Sequence, residues 1–305
     1  MLTQSKSASV QTYGDHLATD RCAGPAAFAL ADIGFRYQSG AVALRDISLT
    51  IGHGEKVAVI GANGCGKSTL IKLMDGLIFP QVGTMEVFGE SLTEARLRDE
   101  RTARRFRRRV GFVFQNADAQ LFSPTVREEI AFGPLQMGLS QAEVECRVAD
   151  LATLMGLDKL LDRPPFQLSG GEKKKVAIAC TLAVNPDVIL LDEPTNGLDP
   201  RSQRWLVETL VALHAAGKTV VTATHDLDIV PEIADRVLIF SEDHTLAAEC
   251  AGRDLFMDLD LLLRVNLIHE HAHRHGNLVH SHPHYHSGEH DHQHVDVPKL
   301  QENQL

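Results

Sequence analysis

The sequence predicts an α/β fold: a mostly parallel central sheet, an antiparallel β-subdomain before it and an α-helical subdomain inserted within it. Three short, almost unbroken apolar runs point to the parallel sheet, at residues 56–61 (KVAVIG), 188–192 (VILLD) and 218–225 (KTVVTATH). Such runs are how strands buried on both faces read, whereas strands with one wet face alternate. Helical patterns separate the runs, which is the order of an alternating α/β core.

The elements follow in chain order. Residues 1–26 are polar and without periodicity, and read as a loose extension. Residues 28–37 and 42–51 approach strict alternation, so they are expected to form antiparallel strands joined near Ser39-Gly40. The first buried run then meets a glycine-rich turn and the helical pattern STLIKLMDGL. Residues from about 123 to 168 read as helix up to a turn at Pro164-Pro165, and the insertion as a whole is placed at about 118–180. The core spans 27–262. From 263 to 305 the composition shifts to a histidine-rich tail unable to build an apolar core.

Bulk properties bound the function. With 305 residues and 44% apolar composition the chain can bury a large core. A formal net charge of −10 argues against nonspecific nucleic-acid binding. Cys22, Cys65, Cys146, Cys180 and Cys250 never form a CxxC pair and are read as thiols in a reducing compartment. The first residues lack the apolar core of a signal peptide, and no apolar stretch of about 18 residues occurs, so a membrane role is expected to be peripheral.

Residues 61–68, GANGCGKS, satisfy GxxxxGK[ST] between a buried strand and a helix, the context in which that pattern binds phosphate. Gly61, Gly64 and Gly66 let the backbone, with Asn63 and Cys65, turn its N–H groups toward phosphate oxygens. The following helix adds its positive end. Lys67 supplies a charge to the β and γ phosphates, Ser68 a hydroxyl for Mg²⁺, and Thr69 is placed in the same nucleotide site. Cys65 reads as an inert thiol, with oxidation that blocks nucleotide entry as the alternative. Downstream, Asp192 and Glu193 end a buried strand, where ligands collect in such sheets. Asp192 is expected to hold Mg²⁺ and Glu193 to orient the attacking water.

With Leu168-Ser169-Gly170-Gly171-Glu172 the chain resembles the ABC ATPase family, whose remaining motifs occur in order. They are Tyr37 before the phosphate loop, Gln115 after VGFVF, Gly197-Leu198-Asp199 after the acid pair, and His225 ending the third run. The resemblance covers about residues 27–262 and implies an ABC-type P-loop NTPase core that hydrolyses ATP with Mg²⁺. It implies that Tyr37 stacks on adenine, that Gln115 reaches Mg²⁺ and the attacking water, and that His225 contacts the γ-phosphate. An ordinary strand aromatic and a satisfied core histidine are the alternatives for Tyr37 and His225. Ser169, Gly170 and Gly171 would open a helix toward nucleotide held by a second copy, so a head-to-tail homodimer is implied, and Asp199 is placed among the nucleotide-binding residues. Glu172 stands where glutamine is usual in the family. Lys173 to Lys175 read as a basic patch beside phosphate or as a solvated helix face.

FQNADAQLFSPTV (114–126), AFGPLQMGLS and DRPPFQLSGGEKKKVAIA resemble more narrowly the ATPase component of energy-coupling factor (ECF) transporters for cobalt and nickel. That implies work on the cytoplasmic face of a bacterial membrane, with a transmembrane coupling protein and a substrate-capturing membrane component. The alternatives are an importer of another substrate, a soluble ABC ATPase, or a metal-storage protein with an idle cassette. The tail carries His269, His271, His273, His275, His280, His282, His284 and His286 at every second position of two runs. An extended chain puts each run on one face, and imidazole suits Ni²⁺, Co²⁺, Zn²⁺ and Cu²⁺. The tail is therefore a candidate for Ni²⁺ or Co²⁺, with an incidental solvated tail as the alternative. The arginine-rich stretch 96–109 reads as a solvated helix or a contact for lipid or the membrane partner.

Overall fold

The computed structural model describes residues 26–275 and 278–284; the 1–25 part of the expected extension, Cys22 and His286 lie outside them. Strands β1 (Phe28–Arg36) and β2 (Val42–Ile51) are antiparallel, with Phe28 opposite Ile51, Leu30 opposite Leu49 and Phe35 opposite Leu44. The ladder shifts between Leu30 and Ile33, and there Asp32 takes φ 53°, a left-handed conformation that short polar side chains tolerate. Strands β4 (Val82–Val87) and β5 (Glu90–Ser91) extend this sheet in the order β2-β1-β4-β5.

The central sheet has the order β10-β9-β3-β8-β7-β6, from β3 (Lys56–Gly61), β6 (Val110–Val113), β7 (Val188–Asp192), β8 (Thr219–Thr224), β9 (Arg236–Phe240) and β10 (Leu246–Ala251). Strands β9, β3, β8, β7 and β6 run parallel, and only β10 is antiparallel at its edge. Alternate residues of one strand enter different cores, which is why the runs are apolar throughout. Val57, Val59, Val188 and Leu190 pack with the antiparallel sheet and α1 (Lys67–Met74). Ile189, Leu191 and Val220 pack under α4 (Val126–Gln136), α5 (Gln141–Met155), α6 (Gly170–Ala183) and α7 (Pro200–Ala215). Ala58 and Ile60 meet α8 (Val230–Ile233) and α9 (Leu259–Arg264).

The third core continues past residue 262, because Val265 and Ile268 are buried in it beside Leu262. The arginine-rich stretch forms α2 (Glu94–Leu97) and α3 (Glu100–Arg109). Five of its eight arginines pair with a carboxylate, Arg98 with Glu94 among them. Arg96 and Arg105 both pair with Glu90, Arg107 with Asp75, and Arg109 with Asp187 while lying 3.4 Å over the Phe88 ring. These pairs tie α2 and α3 to neighbouring elements, while Arg101, Arg104 and Arg108 are exposed as on a solvated helix face.

Beyond the third core, β11 (His269–His275) and β12 (Leu278–His284) pair antiparallel as a separate two-stranded sheet. Alternation alone suggested extended runs, and the Gly276-Asn277 pair between them is the sequence signal for a hairpin.

Candidate nucleotide site

Gly66 takes φ 116°, and a Cβ there would lie 2.3 Å from the Ala43 carbonyl oxygen, so only glycine fits. It also brings no side chain to cap α1. The first amide groups of that helix are therefore left for an anion, with the helix dipole favouring negative charge. Gly61 is equally tight, since its Cβ would lie 2.5 Å from Cys65 Sγ. Cys65 itself is 2% exposed, and burial pushes its thiol pKa up against the pull of Lys67. Both facts oppose thiolate chemistry and favour the inert-thiol reading.

Lys67 is buried, and its Nζ donates to the carbonyls of Gly61 at 2.8 Å and Ala62 at 3.2 Å. The same nitrogen lies 3.5 Å from Glu193 Oε1. Ser68 Oγ donates to Asp192 Oδ1 at 2.8 Å, so the hydroxyl and carboxylate expected to share Mg²⁺ already meet. Burial raises the Asp192 pKa against the Ser68 hydrogen bond, with Glu193 raising it further. An oxygen pair of this kind, disfavoured as an anion, fits a hard divalent cation. Tyr37 is 40% exposed, bonds through its hydroxyl to Thr69 Oγ1 at 2.9 Å and meets Phe35 edge-on. The ring is thus fixed by its edge and its hydroxyl.

Glu193 follows β7 with φ 43°, and its N–H donates to the Ala223 carbonyl of β8 at 2.8 Å. Its Oε2 accepts from His225 Nδ1 at 2.7 Å and from the His225 N–H at 3.2 Å. Burial opposes ionisation of Glu193, but the His225 hydrogen bond and the Lys67 charge outweigh it, and its pKa is lowered. The His225 pKa is raised, first by that hydrogen bond. Glu193 is held ionised as an acceptor, and His225 is held against it.

Gln115 is exposed, and Gln115, Gly170, Lys174 and Gly197 line one hollow. Ser169 caps α6 through a capping box with Glu172: Glu172 N–H donates to Ser169 Oγ at 3.3 Å, and Ser169 N–H donates to Glu172 Oε2 at 2.8 Å. Two serine hydrogen bonds lower the Glu172 pKa, which gives the carboxylate at this position a structural reason. The amide groups of Gly170 and Gly171 have no acceptor within the helix. A Cβ on Gly171 would lie 2.7 Å from Ser202 Oγ, so this helix start packs closely on α7. Asp199 caps α7, accepting from Arg201 N–H and from Ser202 N–H and Oγ. That capping role was not read from the sequence.

Lys67, Ser68, Asp192, Glu193 and His225 are therefore brought together. Among the described residues, no hydrogen bond or ion pair joins Ser169, Gly170 or Gly171 to the loop at 61–68. The lysine run is a correction: Lys174 is buried and donates to the carbonyls of Phe114 and Gln115 at 3.1 and 2.9 Å. Burial lowers its pKa to about 8, against the charge of Asp192. Lys173 pairs with Asp118 at 2.6 Å, and Lys175 lies 4.9 Å from the Trp205 ring centroid. The three side chains have three different local partners, so neither a common basic patch nor a solvated face describes them. Sequence reading also missed His244, whose Nδ1 donates to the Cys65 carbonyl at 3.3 Å from a remote turn.

Residues 44–196 match the protein family described as ABC transporter. An ABC transporter ATP-binding protein of Methanosarcina acetivorans is 52% identical over 270 residues, covering 88% of this chain and 98% of its own. The nickel import ATP-binding protein NikO of Rhodobacter capsulatus is 46% identical, covering 79% of this chain and 96% of its own. The solved structure of cbiO1 from Clostridium perfringens, part of the ABC transporter complex cbiONQ, superposes with TM-score 0.68 at 34% identity. It covers 80% of this chain and 95% of that one. A phosphate loop, a folded signature helix and an ionised acceptor follow in that order along the chain, and its similarity to such relatives across nearly their whole length places it in the ABC transporter ATP-binding family as an ATPase.

Proposed function

We propose that this chain powers uptake of a transition-metal ion, nickel or cobalt, as the ATPase of an ECF-type importer. The observation that carries the reading is the 46% identity to a nickel import subunit over almost all of that subunit. The histidine-rich tail supports it with chemistry of the same class, since imidazole suits both ions. Two copies associate head to tail, because the Gly170 and Gly171 amides can serve a γ-phosphate only if a second chain presents it. Tyr37 stacks on the base, the loop at 61–68 cradles the phosphates, and Lys67 exchanges its carbonyl partners for phosphate oxygens. Ser68, Asp192 and Gln115 hold Mg²⁺, which neutralises charge on the phosphates. Glu193, ionised and fixed by His225, accepts a proton from the attacking water.

Closure and reopening of the two copies move the helical subdomain, to which a membrane coupling protein docks near Gln115 on the cytoplasmic face. No helix among the described residues is long and apolar enough to cross a membrane, so membrane components are required for transport. The test is ATP-dependent uptake of radioactive nickel and cobalt into vesicles holding this chain and the membrane proteins encoded beside it. Accumulation of either ion, abolished in Lys67→Ala, supports the reading. ATP-driven uptake of neither ion by an ATPase-active complex overturns it.

A further inference from the structure

We propose that the hairpin β11–β12 is a metal-held ribbon: its register sets His269 opposite His284, His271 opposite His282 and His273 opposite His280 on one face. A divalent transition-metal ion of the imidazole-preferring class binds across these pairs and holds the strands together. The inference deepens the view that the tail binds metal and is independent of which ion, if any, is transported.

The register is the decisive observation. Residues directly opposite in an antiparallel pair share a face, and so do residues two apart on one strand. Seven of the eight positions on that face are histidine, at 269, 271, 273, 275, 280, 282 and 284, and Leu278 is the eighth. The other face carries Glu270, Ala272, Arg274, Val279, Ser281 and Pro283 among the paired positions. A slip of one residue would put the two histidine sets on opposite faces and leave no facing pair. Directly opposed positions have Cβ atoms about 4.5–5.5 Å apart. Two imidazole nitrogens on one ion, each about 2.1 Å from it, lie within about 4 Å of each other, so opposed positions match a shared ion. Two neighbouring rungs supply four imidazoles, the number a tetrahedral site takes.

The hairpin also needs such a ligand. An isolated two-stranded ribbon is marginal in water, and neither face of this one is apolar enough to supply a core. Metal binding to ligands that are unordered without it stabilises the ordered form directly. The ion therefore takes the place that a third strand or a packed helix takes elsewhere.

The experiment titrates the full-length protein with Ni²⁺ and, separately, Zn²⁺, following the affinity of the first ion bound. The variants are His271→Ala, His282→Ala, their double, and His290→Ala/His292→Ala from outside the ribbon. Each single change in the ribbon should weaken the first ion on the order of tenfold or more, and the double should weaken it little further, because both remove the same site. The 290/292 variant should keep the tightest site. Hydrogen exchange should show amides of residues 271–282 becoming protected on metal addition in the wild type and in the 290/292 variant only. Additive effects at 271 and 282, equal loss in the 290/292 variant, or binding without backbone protection would each overturn the ribbon while leaving the tail a metal binder. Absence of binding by either ion would overturn both.

Discussion

Glu193 occupies a backbone conformation with φ 43°, which non-glycine residues adopt at a cost of order 1–3 kcal/mol when the surroundings impose it. Here the Ala223 carbonyl and His225 impose it, and the result is an ionised carboxylate aimed beside Lys67. Glu193→Gln should therefore bind ATP and accumulate as a closed dimer on a sizing column, with turnover lowered at least a hundredfold. Lys67→Ala should fail earlier, at nucleotide binding measured by fluorescence. Wild-type turnover in Glu193→Gln would remove that residue as the base. A second buried carboxylate behaves in the opposite sense. Burial outweighs Arg107 at Asp75 and raises its pKa from 3.8 to about 6. The folded state then binds more protons than the unfolded state between those values, so this contribution is complete below pH 3.8 and is lost as pH rises through about 6. Such a displacement corresponds to roughly 3 kcal/mol. Urea unfolding from pH 4 to 7 should show wild-type stability falling relative to Asp75→Asn; a parallel course would refute the assignment.

Helices α5 and α6 begin with the same device, a serine cap answered by a glutamate three residues on: Ser140 with Glu143, and Ser169 with Glu172. Loss of such a cap costs about 1 kcal/mol. Ser140→Ala and Ser169→Ala should lower the unfolding midpoint by similar amounts, while on the proposed head-to-tail arrangement only Ser169→Ala should also slow ATP turnover, because only that helix start would face a partner's nucleotide. Equal turnover in both would make Ser169 a cap alone. This pair shows how far local sequence goes. The S-x-x-E spacing is readable in both places, whereas the difference in use comes from where each helix start points. Lys174 makes the same point more sharply, since three adjacent lysines are alike in sequence and the fold buries only the middle one beneath Gln115.

At the scale of the molecule, three cores divide the faces of one sheet, and the last of them closes with Val265 and Ile268. Ending the chain after residue 262 strips both, and burying a side chain of that size contributes about 1.5–3 kcal/mol each. Thermal unfolding should show a clear loss of stability for the chain ending at 262 and little for the chain ending at Ile268. Equal midpoints would mean that these side chains do not hold the third core. The expected boundary at 262 came from the change in composition, which marks where polar residues begin to dominate. A few apolar residues beyond that point look incidental until a sheet face is found beneath them.

Contiguous residues settled the phosphate loop, the acid pair and the alternating α/β order, because each depends on neighbours in the chain and on strands buried on both faces. Tertiary structure alone decided that Asp75 meets Arg107, that Lys174 holds the Gln115 backbone and which histidines of the tail stand opposite one another. These pairings join groups apart in sequence, and their energies depend on burial and register, quantities a chain acquires only on folding.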